Sequence, residues 1–408
     1  MERDHVAPRR RFLTCARRGA YRIVRPPDTL SEFGQGAMTF HLRRSLLGQR
    51  LRLQLRDGPS PEWRSDAKLV EDIDDLAREQ TDLWSNKSLD QTTPIFDTFK
   101  AWNESVLSIY ILKINGARVY VVDKPAIPSP RVETSVIEGF TRSFAQRIHL
   151  YKILMERVIA HFGLDLTMTI AVDVNDMVEY AETAPLFSFQ KRVGSPNILL
   201  PDLDFFWWNW YRRPRDPLAY EHKDIVAGFA GSSTGLFNSL ANESLGHNPR
   251  LRAAAYFVGS KNVDFRITRA VQAADAETKA RIESRPYFSR PVSWRAQFRD
   301  RFLISIDGNG AACSRLAIAL KSHSAVIKYD SPHSLFYFPK LRVGRDYIAA
   351  SCEPDIERIV ENERARPGTY RAVAEAGQQF FARYLERDSV MAYTAAVLGR
   401  YADLHAAR

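Results

Sequence analysis

Cysteine is scarce in this chain. Its 408 residues hold three, Cys15, Cys313 and Cys352. Their separations match no zinc-ligand spacing, and three thiols make no disulfide framework, so a reducing cytoplasm is the natural setting. Long apolar runs are missing too: no stretch approaches the roughly 20 residues that cross a bilayer. The opening segment, MERDHVAPRRRFLTCARRGAYRIVR, lacks the apolar core of a secretory signal, and the closing HAAR is no retention signal. The turn Asp307-Gly308-Asn309-Gly310 matches neither G-x-G-x-x-G nor the P-loop. Aromatic and basic residues are not interleaved as in RNA-binding modules, so specific nucleic-acid recognition is not expected.

What is present is the composition of an ordinary globular protein, 45% hydrophobic and 26% charged. The length exceeds one core, so two domains are expected. Lys and Arg number 58 against 48 Asp and Glu, a formal charge of +10, with clusters at Arg9 to Arg11, Arg17-Arg18, Arg43-Arg44 and Arg212-Arg213. Such a balance suits an anionic membrane surface, an anionic glycan or nucleic acid. For the first 25 residues a solvated arm is the simpler reading.

Periodicity orders the first half. After the arm and a short helix at 40–47, Asp66 to Trp84 reads as a helix with Leu69, Ile73, Leu76 and Leu83 on one face. Val106 to Val122 reads as a hairpin around Asn115-Gly116. Thr134 to Phe162 reads as a long helix, stopped by Gly163, whose stripe is Ile137, Phe144, Ile148, Tyr151, Leu154, Val158 and Ile159. A strand, Leu166 to Val172, leads into Asp173-Val174-Asn175-Asp176. Carboxylates just after a strand in an α/β domain lie where ligands bind.

The second half repeats strand, loop and helix. Asp224 to Gly235 (DIVAGFAGSSTG) reads as a strand and a Gly/Ser loop able to cradle phosphate. Phe302 to Ile306 reads as a buried strand, followed by the DGNG turn, a helix over Ala311 to Lys321 and a strand over Ala325 to Lys328. Free N–H groups and the positive helix end meet at that turn, and Arg315 adds a cation that forks onto phosphate. A plain turn accounts for the same spacing. Helices are expected at 355–363, 370–384 and 389–405.

The string FLISIDGNGAACSRLAIALKSHSAVIK, followed by LFYFPKLRVGRDYI, resembles the signature of glycosyltransferase family 90. That family comprises lipopolysaccharide-modifying and capsule-associated glycosyltransferases and the animal protein O-glucosyltransferases. Asp307, Gly308, Asn309, Ser314, Arg315, Phe336, Leu341, Tyr347 and Ile348 carry the likeness, which spans roughly 170–393. Val343 and Asp346 stand where the family has Pro and His. The resemblance implies a GT-B-like α/β fold: two doubly wound, Rossmann-like domains facing a cleft, with a basic N-terminal extension. The expected division is an extension at 1–95, an acceptor-side domain at 96–215, a nucleotide-sugar domain at 216–388, and a helix crossing back at 389–408.

The resemblance also implies a site. Its catalytic Asp follows the strand and precedes Pro185-Leu186-Phe187-Ser188-Phe189, which makes Asp176 the counterpart and Asp173 the rival. A carboxylate there takes the acceptor hydroxyl's proton during attack. Donor phosphates would rest on Gly231, Ser232, Thr234, Gly235, Asp307, Gly308, Asn309, Ser314 and Arg315. Ala230 replaces a family Arg that holds the diphosphate; Arg250, Arg252 and Arg315 are candidates to compensate. Asp202-Leu203-Asp204 resembles a metal-binding D-x-D but carries little weight, because the family is metal-independent. Trp207, Trp208 and Trp210 suit either sugar stacking or an interdomain core. The expectation is a cytoplasmic enzyme, peripheral at the membrane's inner face. It would move glucose or xylose from a UDP-sugar to a lipopolysaccharide or capsule precursor, with no metal or cofactor. The alternatives are a catalytically impaired sugar-nucleotide or glycan binder and, behind it, a nucleic-acid binder.

Overall fold

A computed structural model of the chain describes residues 48–49, 51–60, 63, 65–85, 97–101, 106–122, 134–176, 184–240 and 246–406. The expected arm, the helix at 40–47 and the arginine clusters before residue 48 lie outside them.

The first half is organised by a helix, α1 (Ala67–Ser85), that buries Leu69, Ile73, Leu76, Ala77 and Trp84. Trp84 takes the core place in the last turn, where its indole donates to the Pro196 carbonyl at 2.7 Å. Leu83, expected on that face, falls on its rim and is 49% exposed. The hairpin forms as β1 (Ile109–Asn115) and β2 (Arg118–Val121), paired with Asn115 opposite Arg118. The two residues between them close a tight turn, and such a turn forces antiparallel pairing. The long helix α2 (Thr134–Phe162) leads to β3 (Thr167–Asp173), which lies antiparallel to β1. Two short strands, β4 (Leu186–Ser188) and β6 (Ile198–Leu199), extend this sheet in parallel, giving the order β2-β1-β3-β4-β6. The sheet is therefore mixed, where a doubly wound domain was expected. The hairpin sets two of its strands antiparallel.

The second half is wholly parallel. Its strands are β7 (Asp224–Ser232), β8 (Val263–Arg269), β9 (Asp300–Ser305), β10 (Ala325–Tyr329) and β12 (Ile348–Ala350), in the order β12-β10-β9-β7-β8. In chain sequence that is a 2-1-3-4-5 sheet, whose order reverses between β7 and β9. Ligands bind such sheets beyond the carboxyl ends of the strands at that switch point. Phe302, Ile304 and Ile327 pack to one side with Phe229, Phe265, Ile356 and Val360. Leu303 and Val326 pack to the other, under the helix α7 (Cys313–Lys321).

That second core does not stop at the sheet. It runs on through Phe336, Phe380, Tyr393 and Leu398 into Ile170, Val172, Phe187 and Leu154 of the first half. The final helix, α10 (Arg387–Ala406), packs on α1 and α2, and Tyr393 Oη donates to the Leu199 carbonyl at 2.8 Å. A two-stranded ribbon, β5 (Lys191–Arg192) with β11 (His333–Ser334), ties the halves a second time. Trp210 belongs to this shared core, 5.1 Å from Phe205, whereas Trp208 is 58% exposed. Among the described residues, no helix is long and apolar enough to cross a membrane.

An ion cluster locks α1 to the carboxyl-terminal elements. Buried Asp72 accepts from Lys340 at 3.0 Å, Arg383 at 3.0 Å and Tyr384 Oη at 2.8 Å. Burial alone would raise its pKa; the three donors outweigh that and hold it at about 2. A carboxyl depressed from its ordinary value near 3.8 contributes stability that is complete above that value and lost as pH falls through about 2. The contribution is on the order of 2 kcal/mol. Urea unfolding of wild type and Asp72→Asn should show a full stability difference above pH 4 that closes toward pH 2. A difference constant across that range contradicts the ionic account.

Candidate functional site

The turns after β7 and β9 meet at the switch point, held side by side by one arginine. Arg250 follows the N-cap Asn248 of helix α4 (Pro249–Tyr256), which aims its side chain across both turns. Nη1 donates to the Ser232 carbonyl at 3.1 Å and Thr234 Oγ1 at 2.7 Å; Nη2 donates to the Ile306 carbonyl and Nε to the Asp307 carbonyl, both at 3.0 Å. Burial draws its pKa down to about 10. Gly308 lies beneath this staple: a Cβ there would stand 2.6 Å from Thr234 Oγ1 and 2.9 Å from Arg250 Nη2. Gly308→Ala should therefore cost about 1–3 kcal/mol in thermal unfolding, since a packed polar staple has nowhere to move. An unchanged midpoint would contradict this packing.

The helix α7 starts directly after the second turn. Ala312, its N-cap, offers no side-chain cap. The Cys313 N–H donates to the Ala311 carbonyl at 2.7 Å, and Ala312, Cys313 and Ser314 line the cleft at the positive end of the helix dipole. Arg315, in the same turn, is buried. It donates to the Ala230 carbonyl and to Gln297 Oε1 (2.9 Å), between Phe229 at 4.4 Å and Trp294 at 5.0 Å. Its other terminal nitrogen, Nη1, has no hydrogen-bond partner among the described residues. Burial, then the nearby Arg250, pull its pKa down to about 9.

The opposite wall comes from the first half. Asp176, 45% exposed, pairs with Arg147 at 2.8 Å, and the same Arg147 nitrogen donates to the Val174 carbonyl at 2.7 Å. Asp202 and Asp204 lie deeper, with Asp202 Oδ1 accepting from the Asp204 N–H at 3.0 Å. Burial raises the Asp202 pKa to about 6; burial and the Asp202 charge raise that of Asp204 well above the carboxylate range. Burial and these carboxylates also push the Cys313 thiol upward, so it is no thiolate. The cleft opens to solvent, and its volume is about 220 Å³.

Gln190, two residues after β4, bridges the walls. Its Nε2 donates to the Asp176 carbonyl and its Oε1 accepts from the Ala311 N–H at 2.7 Å. The partners fix which end of the amide is which, a donor N–H on one side and a carbonyl on the other. Gly310 makes room for it: a Cβ there would lie 2.0 Å from Gln190 Nε2.

A model of glycosyl transferase family 90 matches residues 136–408, more than half of the chain. The chain belongs to glycosyl transferase family 90. No curated protein matches its sequence. As a member of a glycosyltransferase family, this enzyme has a sugar donor and an acceptor to accommodate. The match begins within α2, so α1 and the hairpin lie ahead of it, yet α1 packs directly on α10 inside it.

In this family 90 protein the cleft gathers Asp176, Thr234, Gly308, Asn309, Ser314 and Arg315 of the residues expected from sequence. Gly235 adjoins it, its N–H donating to Asn309 Oδ1 at 3.2 Å, and the Ser232 hydroxyl lies 3.4 Å from Thr234 Oγ1. Three expected residues sit elsewhere. Gly231 is within β7, paired with Ile267. The Asp307 carboxylate turns to Ser331 Oγ at 2.5 Å and His333 Nδ1 at 2.9 Å. Asp173 is fully buried at the end of β3, accepting from the Asn175 N–H at 2.9 Å. Of the proposed substitutes for an arginine at 230, Arg252 faces outward with Glu353 at 3.3 Å.

Sequence reading missed Arg147, Gln190 and the placement of Asp202 and Asp204. Arg147 could have been found as a charge interrupting the apolar spacing Phe144, Ile148, Tyr151, and Gln190 as the polar residue ending PLFSF. Among the described residues, no group of three or more His, Cys, Asp or Glu is arranged to hold a metal ion.

Proposed function

We propose that this protein transfers a sugar from a UDP-sugar to a glycan acceptor by direct displacement, with Asp176 as the base. One observation carries the proposal: the most accessible carboxylate of the cleft, Asp176, faces the uncapped start of α7 and the stapled turns at 232–235 and 307–310. The diphosphate would lie on the N–H groups and on the hydroxyls of Thr234 and Ser314. The acceptor hydroxyl would enter from the Asp176 side. Asp176 takes the hydroxyl proton as the oxygen bonds to C1. The bond from C1 to the phosphate oxygen breaks, and UDP leaves with the electron pair, stabilised by fixed dipoles. A single displacement of this kind inverts the anomeric centre.

Glucose and xylose are the sugars to try first, and lipopolysaccharide or capsule precursors the acceptors. The net charge of +10 suits an anionic glycolipid at the inner face of a membrane. The test is UDP release from UDP-glucose and UDP-xylose in the presence of a chelator, with and without lipopolysaccharide core. Acceptor-dependent release supports the proposal, and none with any acceptor opposes it.

A specific observation favours a second reading, a sugar-nucleotide binder without turnover. Ala230 has no guanidinium to offer, and both Arg250 and Arg315 already serve protein acceptors. Under that reading Ala230→Arg creates transfer where wild type has none.

A further inference from the structure

We propose that Gln190 is a positioning residue that ties donor occupancy to the placement of Asp176. The inference deepens the glycosyl-transfer reading and rests on it.

The geometry is a single amide spanning the reaction. Ala311 lies in the cleft lining, directly before the uncapped start of α7, and its N–H is of the kind an incoming phosphate oxygen takes. Here that N–H is held by Gln190 Oε1 at 2.7 Å. The other end of the same amide holds the Asp176 carbonyl. Gln190 is buried, and the absence of a side chain at Gly310 lets its amide lie against the turn.

A phosphate oxygen is a stronger acceptor than a neutral amide carbonyl. On arrival it displaces Gln190 Oε1 from Ala311, the amide turns, and the Asp176 carbonyl is released. Donor binding therefore precedes the final placement of the base, which gives ordered addition, donor first and acceptor second. Gln190 touches neither reacting atom; it acts through Asp176.

Two substitutions separate this coupling from a plain strut, because they move donor affinity in opposite directions. Gln190→Met keeps the bulk and removes the competing acceptor, so UDP should bind roughly threefold to tenfold more tightly. Gln190→Glu leaves a charged acceptor on Ala311, so UDP should bind at least about tenfold more weakly. Both lose the contact to the Asp176 carbonyl that donor binding releases in wild type. At saturating donor kcat should therefore stay within about tenfold of wild type, while the ordered addition is lost and acceptor binds without donor. Calorimetry with UDP, UDP-release kinetics and melting curves on wild type and both variants supply the readouts. If wild type binds UDP and turns over, but Gln190→Met binds UDP no more tightly or keeps the ordered addition, the inference fails while the glycosyl-transfer reading stands. If Gln190→Met does not fold, UDP binding by Gln190→Glu equal to or tighter than that of wild type overturns the inference. If wild type neither binds UDP nor turns over, the underlying reading fails and this inference with it.

Discussion

Asp176→Asn should abolish sugar transfer while leaving UDP binding intact. The asparagine carbonyl can still accept from Arg147, so the side chain stays in place and only the proton acceptor is lost. Removal of a positioned general base costs about 10²–10⁴-fold in rate, and kcat should fall by that much with little change in donor affinity. The control is Asp173→Asn. Asp173 is fully buried at the sheet end and bonds the Asn175 N–H. An asparagine can accept the same bond, so kcat should stay within about tenfold of wild type, far from the loss of a base. Paired kinetics and calorimetry on the two variants distinguish the carboxylates that sequence alone left as rivals. A larger loss from Asp173→Asn than from Asp176→Asn would reverse the assignment.

The second large effect is on stability. Glu363 is fully buried and is a hub: it accepts from Arg301 Nη1 at 3.0 Å, from the Gly368 N–H at 2.8 Å and from the Tyr370 N–H at 3.2 Å. Arg301, itself buried, spends Nη2 on the carbonyls of Glu221 and Lys223, and so fixes the entry to β7 against β9. Glu363→Ala strands a buried guanidinium and two backbone donors. Breaking a buried pair by removing one partner costs about 3–5 kcal/mol. The measurement is denaturant unfolding of wild type and Glu363→Ala. A loss below about 1 kcal/mol, the range of exposed pairs, would show that water reaches the site.

Much of the fold was legible because its elements follow their own periods. The hairpin, the long helix and the strand-turn-helix unit at 300–321 stand within three residues of their sequence bounds. The mixed character of the first sheet was not legible, since a hairpin's local pattern does not say which later strand pairs with it. β3 does so over its full length. The shared core was also hidden: Tyr393 and Phe336 stack at 4.4 Å although they belong to segments read separately.

The site divides along the same line. Thr234, Gly308, Asn309 and Ser314 line the cleft because turns after parallel strands gather at the carboxyl edge of an α/β sheet. Arg315 was read as a phosphate clamp, but sequence cannot show that a guanidinium turns to the Ala230 carbonyl and two aromatic rings. Asp202 and Asp204 were set aside as a metal motif, yet they line the cleft half-buried, where desolvation raises their pKa values. Gln190 and Arg147 act across the chain, over separations that no local pattern encodes.

The central claim is that the donor diphosphate rests on the uncapped start of α7. It is tested most directly by calorimetric titration of UDP, without added metal, into wild type and Ser314→Asp. An aspartate in the first turn favours the helix through its dipole while placing a charge against the phosphate. UDP binding by wild type that weakens at least about tenfold in a well-folded Ser314→Asp is the predicted result. UDP binding with equal affinity to both proteins, or to neither, would contradict it.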